Sequence, residues 1–217
     1  MAAEASVPLL RDETAHVDVT ASETVFEGRV WNLRRDEFSY GEGSIVREYV
    51  DHTGAVAVLA LDDEDRVLLI QQYRHPVRTR EWEIPAGLLD VPGEDPLEAA
   101  KRELAEEADL TAERWDVVSD FFTSPGGSDE AIRIYLARGL TPTAEAFART
   151  EEEADIELRW VPLDEAVDAV LARRLQNPSL VIAVLAAHAS RSRGWATLGD
   201  ADAAWPGRSR PVGAPAH

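Results

Sequence analysis

The sequence predicts an α+β fold in which helices cover a mixed sheet. Short apolar segments bounded by turn residues are typical of strands, and they occur at residues 55–61, 67–71, 115–122, 131–137 and 156–161. Residues 96–108 have apolar side chains at helical spacing, and Pro96 stands where a helix can begin. Strands and helices alternate without a repeating βαβ period, so the pattern indicates a mixed α/β sandwich.

Weaker signals divide the chain into three parts. Residues 1–50 predict an N-terminal β element, with strands at 25–34 and 36–40 and a hairpin whose return arm is 45–50. Residues 51–193 form the main domain, which closes with predicted helices at 163–171 and 179–191. Residues 194–217 are rich in Gly, Pro and Ala and predict a flexible tail.

The composition excludes several classes of protein. A net charge of -19 repels phosphate backbones, so nucleic acid is not an expected partner. The absence of cysteine excludes a disulfide scaffold, a zinc ribbon and a thiol nucleophile, and it fits a cytoplasmic protein. The apolar run at residues 180–187 is too short to span a bilayer, so no membrane association is expected. A phosphorylated substrate would need a metal ion or an arginine cluster to approach this chain.

The helix predicted at 96–108 contains an acidic stretch, Arg102-Glu103-Leu104-Ala105-Glu106-Glu107. Glu103 and Glu107 share a helix face, and Glu106 borders that face. Like charges at this spacing destabilise an isolated helix by about 0.2–0.5 kcal/mol per pair. A hard divalent cation with oxygen ligands would offset this repulsion. A run of glutamates taken alone is also typical of a solvated helix face, so the surrounding residues decide between the two interpretations.

The residues around this stretch resemble the Nudix box, which reads G-x5-E-x7-R-E-U-x-E-E-x-G-U with U an aliphatic residue. Glu94 precedes Arg102 by eight residues, as the box requires, and Leu104 and Leu110 occupy its aliphatic positions. So many residue types in one register make this a specific motif.

The chain departs from the box at two positions. Gly87 is one residue too far from Glu94, which implies an insertion in the loop between them. Asp109 stands where the box has its second glycine. Asp109 is therefore expected to adopt a left-handed backbone conformation, which aspartate tolerates better than most residues.

The resemblance implies a Nudix α/β/α sandwich with a mixed sheet, preceded by a small N-terminal antiparallel sheet, and a Mg²⁺-dependent hydrolase. It implies that Glu103 and Glu107 bind Mg²⁺, that Glu106 lies close by, and that the Ala86 carbonyl completes the metal shell. Arg102 would orient the glutamates through ion pairs. Mn²⁺ would suit the same oxygen ligands, and the residues leave the number of ions open.

The resemblance also implies a base for the attacking water. Family members use a loop glutamate to accept its proton, and Glu153 in the run Glu151-Glu152-Glu153 matches that residue. A run of this kind is equally typical of a solvated loop, and the residues leave open which of the three glutamates acts.

Outside the box, residues 22–189 resemble the ADP-ribose pyrophosphatases. The segment Ser124-Pro125-Gly126 follows the box by about fifteen residues and is similar to the proline marker of that subfamily. The segments at residues 72–75 and 81–87 resemble the approach of that subfamily to the box. The resemblance implies ADP-ribose as the substrate, with AMP and ribose 5-phosphate as the products.

Candidate substrate contacts follow from side-chain chemistry. Arg74 and Arg47 are candidates for the diphosphate, because the planar guanidinium fits phosphate oxygens bidentately. Glu83 could accept hydrogen bonds from ribose hydroxyls or an adenine amine. A surface arginine and a strand-edge carboxylate are the structural alternatives. The segment at residues 20–52 resembles a sheet that subunits of this family often exchange, so a homodimer is implied.

Two other functions remain open. The box does not distinguish ADP-ribose from a nucleotide sugar, NADH or a dinucleoside polyphosphate. A Nudix-fold sensor could also bind ADP-ribose without cleaving it. Such sensors usually lose box carboxylates or carry a DNA-binding appendage, whereas this chain keeps Glu103, Glu106 and Glu107.

Overall fold

A computed structural model describes residues 10–145, 147 and 156–208, and this part of the chain forms eleven strands and three helices. The strands are β1 (Val19–Glu27), β2 (Asn32–Tyr40), β3 (Gly43–Asp51), β4 (Ala55–Ala60), β5 (Arg66–Arg74), β6 (Thr79–Glu83), β7 (Ala86–Leu88), β8 (Leu110–Phe122), β9 (Ala131–Pro142), β10 (Glu157–Pro162) and β11 (Gly199–Asp200). The helices are α1 (Pro96–Ala108), α2 (Leu163–Leu171) and α3 (Pro178–Arg191).

The N-terminal strands β1, β2 and β3 form an antiparallel meander. The single strand predicted at residues 25–34 is wrong, because a turn at 28–31 separates β1 from β2. A Cβ at Gly28 would lie 2.1 Å from the Trp31 carbonyl oxygen, so only glycine permits the backbone to approach this closely. The Gly28 N–H donates to the side chain of Asn32 at 3.3 Å, which holds the turn in place.

The main domain is a sandwich whose core lies on both sides of β4. A five-stranded sheet has the order β11-β8-β9-β4-β7, with β4 parallel to β9 and the other neighbours antiparallel. Alternate residues of β4 face opposite sides: Val56 and Val58 pack toward α1, while Ala57 and Leu59 pack toward α2 and α3. All six residues of β4 are buried, which explains why it reads as a continuous apolar run. The predicted mixed α/β sandwich is confirmed.

A second sheet, with the order β10-β5-β6, completes the sandwich. Both pairs of neighbouring strands in this sheet are antiparallel. Leu69 of β5 and Val161 of β10 belong to the core that α2 and α3 cover. This sheet leads through β6 directly into β7, so it lies next to the region where α1 meets β7.

The ends of α1 follow from its capping residues. The Asp95 side chain accepts the Leu97 N–H at 2.8 Å, and Pro96 takes the first helical position, where its missing N–H does no harm. The helix ends at Asp109, whose φ of 53° and ψ of 38° are left-handed, so that prediction is confirmed. Asp109 then accepts the N–H groups of Thr143, at its carbonyl, and Phe147, at its side chain.

The helices α2 and α3 also match their predicted positions closely. Asn177 caps α3 by accepting the Leu180 N–H at 3.0 Å, so the helix begins one residue before the predicted start. Within the described ranges, none of the helices has the length and apolar character that crossing a membrane requires.

Residues 194–208, which composition assigned to a flexible tail, pack onto the domain in the structure. The strand β11 pairs with β8, and Trp195 packs against the core. Arg133 is 3% exposed and donates to the carbonyls of Ala203 at 2.6 Å and Ala204 at 3.1 Å. Its guanidinium also lies 4.8 Å from the centre of the Trp205 ring. Residues 209–217 lie outside the described residues.

Replacement of Leu104 by alanine tests the core beneath α1. Leu104 is fully buried, and Leu104→Ala should lower the free energy of unfolding by about 2–5 kcal/mol through lost burial and a cavity. Urea unfolding monitored by circular dichroism measures the change. Leu171→Ala, at a position that is 62% exposed, should cost about 0.5 kcal/mol or less. Equal losses in the two variants would contradict this description of the core.

Candidate active site

Arg102 forms hydrogen bonds with three carboxylates, one before the acidic stretch and two within it. Its Nε and Nη2 donate to the two oxygens of Glu94 at 3.0 Å each. Its Nη1 donates to Glu103 at 2.5 Å and to Glu106 at 3.2 Å. The pKa of the Arg102 guanidinium is raised, chiefly by its hydrogen bonds to Glu94 and further by the charge of Glu103, against the effect of burial. A cation within the chain therefore offsets part of the repulsion among the glutamates.

Glu103 and Glu107 converge on the start of β7. Glu107 is 4% exposed, and its Oε2 accepts the Ala86 N–H at 2.9 Å. A Cβ at Gly87 would lie 1.9 Å from both Cδ and Oε1 of Glu103, so a side chain at this position would displace the carboxylate. The first box glycine thus leaves the space in which the Glu103 carboxylate lies. The structure places both carboxylates beside the Ala86-Gly87 peptide.

The chemistry of these groups fits a hard cation. Carboxylate and peptide oxygens are the ligands that Mg²⁺ prefers. Glu103 and Glu107 are 9% and 4% exposed, and buried carboxylates need a compensating positive charge. Arg102 contacts Glu103 and Glu106, and the Glu106 side chain is 40% exposed.

The predicted metal ligands are therefore brought together unequally. Glu103 and Glu107 both lie beside the Ala86-Gly87 segment, whereas Glu106 contacts the Arg102 guanidinium that it shares with Glu103. Among the residues that the structure describes, no three His, Asp or Glu side chains are close enough to share one ion. If the carbonyl of Ala86 joins the two carboxylates, as the resemblance implies, three oxygen ligands would leave room for water or substrate oxygens in a six-coordinate shell.

Arg74 and Glu83, two predicted substrate residues, form a bidentate ion pair. Arg74 Nε donates to Oε1 of Glu83 and Nη2 donates to Oε2, both at 2.7 Å. The antiparallel register of β5 and β6 places both residues on the same face of their sheet. The Glu83 side chain is 3% exposed, whereas that of Arg74 is 41% exposed. Solvent therefore reaches the arginine and hardly reaches the carboxylate.

Arg47 lies in a cleft with the proline marker. This cleft has a volume of about 450 Å³, and Arg47, Phe122, Pro125 and Gly126 contribute to its walls. The Ser124 carbonyl accepts the N–H groups of Gly127 and Ser128 at 2.9 Å, which fixes the turn that carries the marker. Arg74 and Glu83 do not line this cleft, so the predicted substrate residues fall into two groups.

A polar cluster around the buried His52 lies beside the cleft, and it was not predicted from the sequence. The His52 N–H donates to Oδ1 of Asp129 at 2.7 Å, and the His52 ring lies 3.3 Å from Glu130. Burial raises the pKa of Asp129, while its hydrogen bond from His52 acts in the opposite direction. The only sequence signal for this cluster is a group of polar residues at the boundary between the N-terminal element and the main domain.

The predicted base, Glu153, lies outside the described residues, as do Glu151 and Glu152. Asp109 holds Thr143 and Phe147, the described residues that precede this run. The residue that replaces the second box glycine thus contacts the described residues closest in sequence before this run.

Comparison with known proteins identifies the family. The model of the Nudix domain matches residues 51–181, which is more than half of the chain and includes the whole acidic stretch. The chain belongs to the Nudix family. An ADP-ribose pyrophosphatase of Mycobacterium tuberculosis is 45% identical over 173 residues, which cover 79% of this Nudix chain and 83% of that protein.

Two further comparisons extend this result. A methanol dehydrogenase activator of Bacillus methanolicus is 40% identical over 164 residues, covering 75% of this Nudix chain and 88% of that protein. A crystal structure of an ADP compounds hydrolase aligns with a TM-score of 0.70 at 22% identity, covering 85% of this chain and 99% of that one. The structural match confirms the Nudix fold.

Replacement of Gly87 by alanine tests the close contact with Glu103. The new methyl group would displace the carboxylate, so Gly87→Ala should weaken divalent-metal binding by about 10–100-fold, the range seen when the surroundings of a ligand are disturbed. Titration with Mn²⁺ followed by electron paramagnetic resonance measures the affinity. Gly43→Ala is the matched control, because a Cβ there meets no atom within 4 Å. Unchanged Mn²⁺ affinity in Gly87→Ala would show that Glu103 is not a ligand.

Proposed function

We propose that this Nudix hydrolase is a Mg²⁺-dependent ADP-ribose pyrophosphatase, which cleaves the diphosphate of ADP-ribose to AMP and ribose 5-phosphate. The observation that carries the proposal is the convergence of Glu103 and Glu107 on the Ala86-Gly87 peptide. The 45% identity to an ADP-ribose pyrophosphatase supports the choice of substrate.

The acidic site prepares the chain for a substrate that its net charge would otherwise repel. Glu103, Glu107 and the Ala86 carbonyl would hold Mg²⁺, for which Mn²⁺ could substitute at the same oxygen atoms. When bound, the ion would neutralise diphosphate oxygens and lower the pKa of a nearby water. Arg102 pairs with Glu103 and would orient it, and Glu106 shares that guanidinium.

The remaining residues have proposed roles in binding and proton transfer. The exposed guanidinium of Arg74 would contact the diphosphate. Arg47, Pro125 and Gly126 would enclose the nucleoside or ribose end of the substrate in the cleft that they line, and Ser124 would hold the turn that carries the marker. Glu153 would accept the proton of the attacking water, which then displaces the other phosphate from phosphorus.

We also propose that the chain acts as a homodimer in the cytoplasm, built through its N-terminal sheet. The meander β1-β2-β3 exposes large apolar side chains that a second copy could cover, namely Val19, Phe26, Trp31, Tyr40 and Val46. The chain has no cysteine, which suits a reducing compartment.

A substrate panel tests the proposed reaction. With Mg²⁺, the value of kcat/KM should be highest for ADP-ribose, because the proline marker and the segment before the box resemble enzymes for that substrate. GDP-mannose, NADH and diadenosine polyphosphates are the comparison substrates, and chromatography of the released AMP or GMP gives the rates. A higher kcat/KM for another substrate would refute ADP-ribose as the preferred substrate but would still support the hydrolase activity. Tight binding of ADP-ribose without hydrolysis would identify a sensor.

Replacement of Glu107 by glutamine tests its role in holding the metal. Glu107→Gln retains an oxygen that can accept the Ala86 N–H but loses the negative charge, so turnover should fall by several orders of magnitude while the urea midpoint changes little. Glu98→Gln, on the exposed side of the same helix beside Lys101, should keep full activity. Near-normal turnover in Glu107→Gln would refute the metal assignment.

A further inference from the structure

We propose that Glu83 is a positioning residue, which acts on the substrate only through Arg74 and does not contact it. The inference deepens the proposed function, because it rests on the assignment of Arg74 to the diphosphate. It replaces the direct contact with ribose or adenine that side-chain chemistry alone predicted for Glu83.

The register of the strands shows that the ion pair bends Arg74 away from its natural direction. Glu83 lies opposite Ile70, and Arg74 lies opposite Thr79. Four residues along a strand span roughly 14 Å, so the Arg74 side chain must lie back along the sheet to reach Glu83. Glu83 precedes Ala86 by three residues, and Ala86 carries the hydrogen bond to Glu107. The ion pair thus draws the guanidinium toward the end of the sheet where the acidic site lies.

The burial of the two partners separates their roles. Both Glu83 oxygens accept from Arg74 at 2.7 Å, and the carboxylate is almost wholly removed from solvent. A ribose hydroxyl would have to displace the arginine to reach it. The Arg74 side chain remains 41% exposed, and the carboxylate occupies its Nε and Nη2 edge. What a substrate meets at this position is therefore the guanidinium, held in one orientation.

The charges on this face and the positioning of Arg74 predict opposite changes in diphosphate binding when Glu83 is neutralised. Glu81 shares the face with Glu83, and its pKa is raised by burial and by the Glu83 charge, against the effect of Arg74. On charge alone, neutralising Glu83 would remove a repulsion and strengthen the binding of a diphosphate. Positioning predicts the opposite, because a released arginine side chain has to lose its rotamer entropy again when it binds the substrate. The direction of the effect therefore distinguishes positioning from simple electrostatics.

A double-mutant cycle between Glu83 and Arg74 tests the proposal. Glu83→Gln and Arg74→Lys should each lower kcat/KM for ADP-ribose by roughly 10–100-fold, in line with the loss of one charge-assisted contact. Most of the change should appear in KM. The double variant should be no worse than Arg74→Lys alone, because Glu83 has no route to the substrate once the planar fork is gone. Losses that multiply in the double variant, or a lower KM in Glu83→Gln, would overturn the proposal.

A second measurement does not depend on activity. In ¹⁵N-labelled protein, the Nε–H signal of Arg74, identified by its loss in Arg74→Lys, should be shifted and slow to exchange with water. In Glu83→Gln it should move to the position of exposed arginines, and an unchanged signal would overturn the proposal. If the wild type does not cleave ADP-ribose, the proposed function fails while this signal still tests the ion pair.

Asp116→Asn is the matched control for the loss of a carboxylate. Asp116 accepts from Arg138 at 2.7 Å on the strands β8 and β9. The substitution removes an ion pair of the same chemistry, so it should lower the melting temperature without changing KM. If KM rose equally in Asp116→Asn, the rise in Glu83→Gln would be explained by general destabilisation, and the positioning role of Glu83 would be refuted. Arg74→Lys changes a partly exposed side chain, so it provides a folded variant even if Glu83→Gln is unstable.

Discussion

The close approach of α1 to β7 is the constraint on which the site depends. Glu103 occupies the space that any side chain at residue 87 would fill, and Glu107 accepts the N–H of Ala86, the preceding residue. Two carboxylates can remain beside one peptide because the Arg102 guanidinium contacts Glu103 and because Leu104, on the same buried side of the helix, anchors α1 in the core. Packing, and not local helix propensity, therefore holds the charges where water is scarce.

The parts of the fold that were predictable from sequence are those whose causes are local. The limits of α1 follow from Asp95, Pro96 and Asp109, each of which acts on backbone groups within a few residues of itself. The left-handed conformation of Asp109 was predictable from the single departure at that position of the box. The shared face of Glu103 and Glu107 was equally predictable, because it depends only on their spacing along one helix.

The features that escaped prediction depend on contacts between distant segments. Arg133 anchors Ala203 and Ala204 across about seventy positions of the sequence, and composition gave no sign of this. The pairing of Glu83 with Arg74 depends on the register of β5 and β6 and on how far an arginine can bend. The break between β1 and β2 depends on Gly28, whose close contact with the Trp31 carbonyl cannot be identified from the hydrophobic pattern alone.

The packed segment after α3 changes what counts as the folded unit. The strand β8 lies next to the end of its sheet, and β11 covers the backbone groups of Asp116 and Val117 there. The Nudix match ends at residue 181, before β11 and before Trp195 and Trp205. A chain shortened to the end of α3 would expose part of a strand edge and the apolar surface beneath both indoles. Such an edge is a template for pairing between chains, so the segment also protects the protein against self-association.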